Sequence, residues 1–381
     1  MKKIKRGKKK MKKIHQSLVL LLVIFLCACQ QVGPGEKKED QQKVTQGQEE
    51  VKEAKLARLF FVGDVIYHYP IYKNLARNEN PTQFRTHYEL MEPYIQGADF
   101  ALANYEGSVS PDGQTHSYPM FRAPHETIDA LKLNGFDALS TANNHCLDGG
   151  VDGAKKLIDL CQEKGLYQFG TYKDQDKKGI LVDINGIQVG FLAYSEMFNG
   201  LDSLAKNEPY LISPLNLDQV KADIDKMRPQ CDYLIVLPHW GTEYAQGPSD
   251  HIKAMANEIL SYGADAIIGS HPHVVQGLER RNDGKFIAYS LGNSLSNQKR
   301  AFQNTKRVEG GLALELTLSK REKTRVIGLK EIATMVVRRQ GLAQVAACQD
   351  VMDGKIPGIS QEDLARSQEL YQQVLEDTTK Y

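Results

Sequence analysis

The sequence predicts an α/β fold, on three observations. Short apolar runs of strand length alternate with amphipathic stretches of helical period. Gly or Asn-Gly closes several of the helical stretches. Polar residues able to bind metal follow the apolar runs again and again. A chain of 381 residues, 41% hydrophobic and 25% charged, has a globular composition and the length to bury a sizeable core.

The N-terminal segment reads as targeting, not fold. Nine of the 48 Lys and Arg residues fall between Lys2 and Lys13, and residues 1–28 hold no acid. The apolar run Leu18–Leu26 follows; it is shorter than the roughly 20 residues a spanning helix needs and suits a secretory signal. Leu26-Cys27-Ala28-Cys29 resembles a bacterial lipobox, with cleavage before Cys29 and acylation of its thiol; the alternatives are a plain cleaved signal peptide or a short anchor. Met11 could also start translation, since Lys12 and Lys13 would still supply the basic flank. The expected product is anchored by lipid to the outer face of the cell membrane. Residues 29–56, rich in Gln, Glu, Lys and Gly, read as a flexible tether.

Beyond that segment, 39 basic residues face 47 acidic ones, a balance that disfavours wrapping a nucleic acid. Strands are expected at Leu59–Val62, Phe100–Ala103, Ala138–Ser140, Ile187–Tyr194, Tyr233–Leu237, Ala266–Ile268 and Phe286–Tyr289. Helices are expected at His87–Ile95, Glu126–Leu133, Val151–Lys164, Leu217–Met227 and His251–Tyr262. Leu312–Leu318 and Arg325–Arg338 read as added antiparallel strands. Ile359–Leu375 reads as a helix capped by Ser360, with Asp363 three residues on. This divides the chain into 57–340, the main domain, and 341–381, a helical extension. Cys146, Cys161, Cys231 and Cys348 are widely spaced and read as buried free thiols rather than disulfides.

Six apolar runs deliver chemistry just past their C-terminal ends: Asp64; Asn104 and Glu106; Asn143, Asn144 and His145; His239; His271 and His273; and Asn293. In α/β sheets ligands bind outside the carboxyl ends of the strands, so six such ends describe one shared site. The His and carboxylate count exceeds the three or four protein ligands of a single catalytic zinc. Two divalent ions are therefore expected, and imidazole with carboxylate suits Mn, Fe or Zn. Two such ions against Asp64 and Glu106 leave positive charge, which favours an anionic substrate. P-loop, dinucleotide, nucleophile-elbow and H-E-x-x-H patterns are absent.

The blocks Gly63-Asp64, Asn104-Tyr105-Glu106-Gly107, Ala142-Asn143-Asn144-His145 with Asp148 and Gly149, His239-Trp240-Gly241-Thr242-Glu243-Tyr244, Gly269-Ser270-His271-Pro272-His273-Val274 and Tyr289-Ser290-Leu291-Gly292-Asn293 occur in that order. Together they resemble the CapA, or poly-γ-glutamate biosynthesis, family, a branch similar to the calcineurin-like metallophosphoesterases. The resemblance covers about Leu59 to Leu318. It implies a sandwich of two mixed sheets flanked by helices. It also implies that Asp64 ligates one metal, Glu106 bridges, Asn144 and His239 ligate the second, and His271 and His273 divide between them. His145 matches the residue that protonates a leaving group or steadies the transition state. Glu243 is expected to orient a histidine, Asn293 to line the site, and Arg122 either to meet substrate anion or to make a surface ion pair.

Three departures stand out. Ile66 occupies the place of a usual ligand His; His68, four residues after Asp64, could substitute but is not counted among the expected ligands. Glu replaces the bridging Asp, as is normal for this branch. Ser294 follows Asn293 where relatives carry an aromatic residue. Two classes of function stay open on this reading. One is a hydrolase of a phosphoester, an amide or a polymer linkage. The other is an accessory protein that partners a membrane-bound polymer synthetase or exporter.

Overall fold

The computed structural model describes residues 53–73, 75, 81–176 and 178–379. The expected signal segment, Cys29 and the tether up to residue 52 lie outside the described residues. The chain from Lys52 onward is one compact unit.

The strands are, in chain order, β1 (Lys55–Val65), β2 (Phe100–Tyr105), β3 (Ser108–Val109), β4 (Arg122–Ala123), β5 (Ala138–Ser140), β6 (Tyr167–Phe169), β7 (Ile180–Ile184) and β8 (Ile187–Ser195). They continue with β9 (Tyr233–His239), β10 (Ala266–Ile268), β11 (Val275–Arg280), β12 (Phe286–Leu291), β13 (Asn293–Leu295), β14 (Gly310–Lys320), β15 (Thr324–Arg339) and β16 (Leu342–Ala347). One mixed sheet runs β16-β15-β14-β1-β2-β5-β6, with β13 also on β1. The other runs β11-β12-β10-β9-β8-β7. The helices are α1 (Tyr69–Tyr72), α2 (Glu92–Ile95), α3 (Glu126–Leu133), α4 (Gly150–Glu163), α5 (Leu217–Met227), α6 (Asp250–Ser261), α7 (Arg300–Gln303), α8 (Cys348–Met352) and α9 (Gln361–Thr378). The result is the expected α/β sandwich of two mixed sheets flanked by helices.

The period of two in β1 explains its place. Leu59 and Phe61 enter the core between the sheets, whereas Phe60 and Val62 enter the core under α3 and α4. In β9, Ile235 and Leu237 face inward while Leu234 and Val236 meet the apolar side of α5 and α6. Such strands are buried on both faces and therefore read as continuous apolar runs. Strands β1, β2, β5 and β6 are mutually parallel, as are β8, β9, β10 and β12. Each sheet consequently brings its carboxyl ends to one edge.

Three expectations need correction. His87–Ile95 is not one helix: 3₁₀ turns at Pro81–His87 and Glu89–Met91 precede α2. Pro93 lacks an amide hydrogen and sits in the first turn of α2, so it restarts a helix rather than continuing one. Strand β1 begins at Lys55, inside the expected tether, because Lys55 and Leu56 pair with Lys320 and Ser319. The extension after residue 340 opens not with a helix but with β16, which pairs along β15 from Arg339↔Leu342 to Thr334↔Ala347. Helix α9 starts as expected, with Ser360 Oγ accepting from the Asp363 amide, and Leu370 and Val374 enter the inter-sheet core. The four cysteines of the described chain are free; Cys146, Cys161 and Cys348 are buried.

Candidate metal centre

Asp64 lies near the end of β1, where the chain passes unusually close to its neighbour. A Cβ on Gly63 would stand 2.0 Å from the Gly292 carbonyl oxygen, so only glycine allows the approach. The Asp64 amide donates to that same oxygen at 2.9 Å, and Asp64 and Asn293 pair in register between β1 and β13. Glu106 follows β2, Asn144 and His145 follow β5, His239 ends β9, and His271 and His273 follow β10. These five strand ends meet at one edge of the sandwich, and every one of these side chains is buried.

The geometry sorts the ligand candidates into two groups. In the first, the Asp64 carboxylate accepts from Asn104 Nδ2 at 2.8 Å and lies 3.1 Å from His273 Nδ1. In the second, His239 Nε2 lies 2.9 Å from Asn144 Oδ1 and 3.2 Å from His271 Nδ1. Glu106 stands between them: its Oε1 is 3.7 Å from His273 Nε2 and 3.9 Å from His239 Nε2. Neither Glu106 oxygen has a hydrogen-bond partner, although both are buried, and Asn104 Oδ1 is also unpartnered. Unpartnered buried carboxylate oxygens are costly unless a cation meets them. Ligand atoms of Asp64, Glu106 and His239 all lie within 4.8 Å of one another. The donor set thus fits divalent metal.

Charge effects point the same way. Burial, reinforced by Asp64, raises the Glu106 carboxyl well above the usual range. Burial and the neighbouring imidazoles hold His239 well below its ordinary value and His271 down to about 4. These two rings are therefore neutral, the form that ligates metal. Burial also opposes protonation of His273, but Glu106 and Asp64 outweigh it and push the ring up to about 9. In this arrangement a proton on His273 supplies positive charge that a metal would otherwise bring. His271 and His273 adopt φ of 100° and 60°. Left-handed backbone at non-glycine residues costs on the order of 1–3 kcal/mol each, and such strain clusters at functional sites.

His145 stands beside the ligands rather than among them. Its Nδ1 lies 2.7 Å from Asp148 Oδ2, which also accepts from the Phe121 amide at 2.5 Å. The ring meets Phe121 edge-on at 4.7 Å. Arg122 Nε donates to the Asp148 carbonyl at 2.6 Å, which places a half-exposed guanidinium at the rim.

Three further residues lie outside these two groups. Glu243 is exposed, and the groups within hydrogen-bond reach of the rings are others: Ser270 Oγ is 2.9 Å from His239 Nδ1, and Asp148 holds His145. Asn293 shares backbone register with Asp64; its amide nitrogen donates to Gln298 and the Val308 carbonyl, and its buried Oδ1 has no hydrogen-bond partner. His68 does not join the ligands: its Nδ1 accepts from the Asn297 amide at 3.2 Å, and its ring meets Phe121. Ser294, in the aromatic residue's place, pairs with the Tyr88 hydroxyl at 2.8 Å.

Sequence reasoning missed Asn199. It comes from the loop after β8 with φ 51°; its Oδ1 accepts from Asn144 at 3.3 Å and its Nδ2 lies 3.4 Å from His145 Nδ1. Nothing in its local sequence marks it, because its partners lie more than 50 residues away.

Comparison with known proteins adds the relationship. The chain is 32% identical over 218 residues to "Capsule biosynthesis protein CapA" of Bacillus anthracis, covering 55% of this chain and 53% of that one. It is 28% identical over 248 residues to "PGA biosynthesis protein CapA" of Bacillus subtilis (strain 168), covering 62% and 63%. The matches thus span less than two thirds of either relative. Among solved structures, a novel phosphatase from Mycoplasma pneumoniae aligns over 74% of this chain and 95% of its own, with 15% identity and a TM-score of 0.49. The family model described as "Bacterial capsule synthesis protein PGA_cap" matches residues 58–298, a stretch that contains every ligand candidate, and the chain belongs to that family.

Proposed function

We propose that this chain is lipid-anchored on the outer face of the cell membrane and acts in capsule or poly-γ-glutamate production or export through a two-metal hydrolase site. The anchor rests on the lipobox at Cys29, and the biological setting on the family and on the names of its Bacillus relatives. The observation that carries the hydrolase reading is Glu106: a buried carboxylate with both oxygens unpartnered, set between a group with Asp64 and His273 and a group with His239, His271 and Asn144. When bound, two divalent ions supply Lewis-acid charge for an oxyanion and make water a nucleophile at neutral pH.

The protein's own groups perform the remaining work. Donation of the His239 Nδ1 proton to Ser270 would leave Nε2 as the ligating atom, the usual way a neighbour sets the tautomer. Asp148 fixes the His145 ring through Nδ1, so Nε2 is the atom left to hold a proton or pass it to a leaving oxygen. The Arg122 guanidinium adds positive charge at the rim for an anionic substrate. A metal-reloaded full-length chain should hydrolyse phosphodiester or γ-linked glutamate substrates and stop on chelation. Metal retention with no turnover on either substrate class would instead support the accessory role.

A further inference from the structure

The segment after β8 brings one side chain to the metal centre from outside the strand ends. Phe198-Asn199-Gly200-Leu201 is a tight turn: the Leu201 amide donates to the Phe198 carbonyl at 2.9 Å, and Asn199 and Gly200 take φ of 51° and 76°. Positive φ at both central residues is the type I′ pattern, to which Asn-Gly is well suited. The turn is held on two sides. The Glu196 amide donates to the His239 carbonyl at 3.0 Å. Phe198 is buried in a cluster with Cys146 and Leu147, the residues that follow His145. Asn199 is exposed, yet its backbone is fixed against the ends of both β9 and β5.

The turn accounts for Asn or Gly at position 199 but not for where the carboxamide goes. Asn199 Oδ1 accepts from Asn144 Nδ2 at 3.3 Å, and among the described residues it is the one acceptor for that nitrogen. Asn199 Nδ2 lies 3.4 Å from His145 Nδ1, an atom already 2.7 Å from Asp148 Oδ2, so this second contact adds little. A carboxamide offers an ion its oxygen and never its NH₂. Asn144 Oδ1 faces His239 Nε2 at 2.9 Å. When His239 Nδ1 donates to Ser270, Nε2 is an acceptor too. Two acceptors that close repel unless a cation meets both, and the amide would gain by rotating Nδ2 toward the ring. An acceptor on the far side of Asn144 opposes that rotation, and Asn199 is that acceptor. Asp64 needs no such help: Asn104 Nδ2 at 2.8 Å and His273 Nδ1 at 3.1 Å engage its two oxygens from within the buried site.

We propose that Asn199 is a positioning residue for one of the two metal-binding groups, that of His239, His271 and Asn144: it holds the Asn144 carboxamide with its oxygen toward the ion. This rests on the two-metal reading. The two groups then differ in construction. The group with Asp64 and His273 is set by strand ends and their buried neighbours, whereas the group with Asn144 is completed by a surface turn. Removing the Asn199 side chain consequently weakens one ion and spares the other.

The test titrates Mn²⁺ into the full-length chain stripped by chelator, with free ion read by electron paramagnetic resonance, so the readout is binding and not turnover. Asn199→Gly removes the carboxamide but keeps the turn, since Gly-Gly also suits type I′. Without metal it should melt with wild type. It should bind one ion as wild type does and the other about 10-fold more weakly, the lower end of the loss for an outer partner of a ligand. Asn199→Asp, which tolerates the turn and keeps an oxygen for Asn144, should hold both ions at least as tightly as wild type. In an Asn144→Ala background, Asn199→Gly should change neither affinity further, as for two residues acting through one contact. The proposal is overturned if Asn199→Gly binds both ions as wild type does or loses both alike. It is also overturned if Asn199→Asp weakens an ion as much as Gly does, or if the Gly effect persists in full without Asn144. Wild type that takes up two ions with Asn199→Gly unchanged defeats this inference alone, whereas wild type that takes up none defeats the two-metal reading with it.

Discussion

Replacing Glu106 with Gln separates a carboxylate that waits for metal from one already satisfied within the protein. Its nearest imidazoles, His273 and His239, stand 3.7 and 3.9 Å away, beyond hydrogen-bond range. Without metal the buried charge is therefore poorly compensated, and a neutral side chain of the same shape removes a burden. The raised carboxyl agrees in sign: a folded-state pKa above the unfolded one lowers stability as pH rises through that interval. With metal the balance reverses. Each ion held at about 100 times its Kd contributes ~2.7 kcal/mol. For a unit of about 330 residues the unfolding entropy is ~0.7 kcal/mol per kelvin, so two ions raise Tm by roughly 8 °C. If Glu106→Gln weakens both sites about 100-fold, each contribution falls to ~0.4 kcal/mol and the shift to about 1 °C. The assay is thermal unfolding of wild type and variant, each with chelator and with added metal. Metal-free Glu106→Gln should melt at or above wild type and respond little to metal. Equal metal shifts, or a metal-free variant that melts several degrees lower, would refute the bridging position.

Three further outcomes follow from the same structure. His145→Ala should keep its metal, because Asp148 and not a ligand holds the ring, yet lose about 10²–10⁴-fold of turnover on a poor leaving group and far less on an activated aryl phosphate; metal loss in this variant would make His145 a ligand. His87 is buried with both ring nitrogens unpartnered, and burial lowers it to about 4 from 6.5. Because the unfolded chain takes up a proton first, stability should fall between pH 6.5 and 4, and His87→Phe should reduce that loss by ~3 kcal/mol in pH-dependent unfolding; an unchanged acid slope would contradict the assignment. Cys29→Ala should abolish incorporation of labelled fatty acid and leave unprocessed chain, and equal labelling of wild type and variant would end the lipoprotein reading.

Strands buried on both faces were legible because their sequences are continuously apolar, as in Leu59–Val62 and Ala266–Ile268. Edge strands were not. β7 and β11 alternate or carry charge, as in Ile180–Ile184 and Val275–Arg280, and a three-residue strand such as β6 leaves almost no pattern. The alanine-rich β16 has the composition of a helix and becomes a strand only because β15 offers it an edge. At the site, the ligand candidates were readable because each follows a buried strand, and the topology brings those ends together. The hydrogen bonds that orient them were less so. Ser270 and Asp148 sit inside recognisable blocks, but their roles depend on distances to His239 and His145. Asn199 reaches Asn144 and His145 only through tertiary structure. Glu243 looked like an orienting acid from its place after His239, yet the strand ends there, the residue is exposed, and its charge reaches His271 and His273 through space.

The central claim is that Glu106 joins two metal-binding groups in one centre. Elemental analysis of the purified full-length chain, before and after reloading with Mn, Fe or Zn, tests it most directly, with Asp64→Ala and His239→Ala measured alongside. The account predicts close to two transition-metal ions per folded wild-type chain and loss of metal in each variant while the fold persists. A wild-type chain that holds no metal after reloading, or variants that retain the full complement, would contradict it.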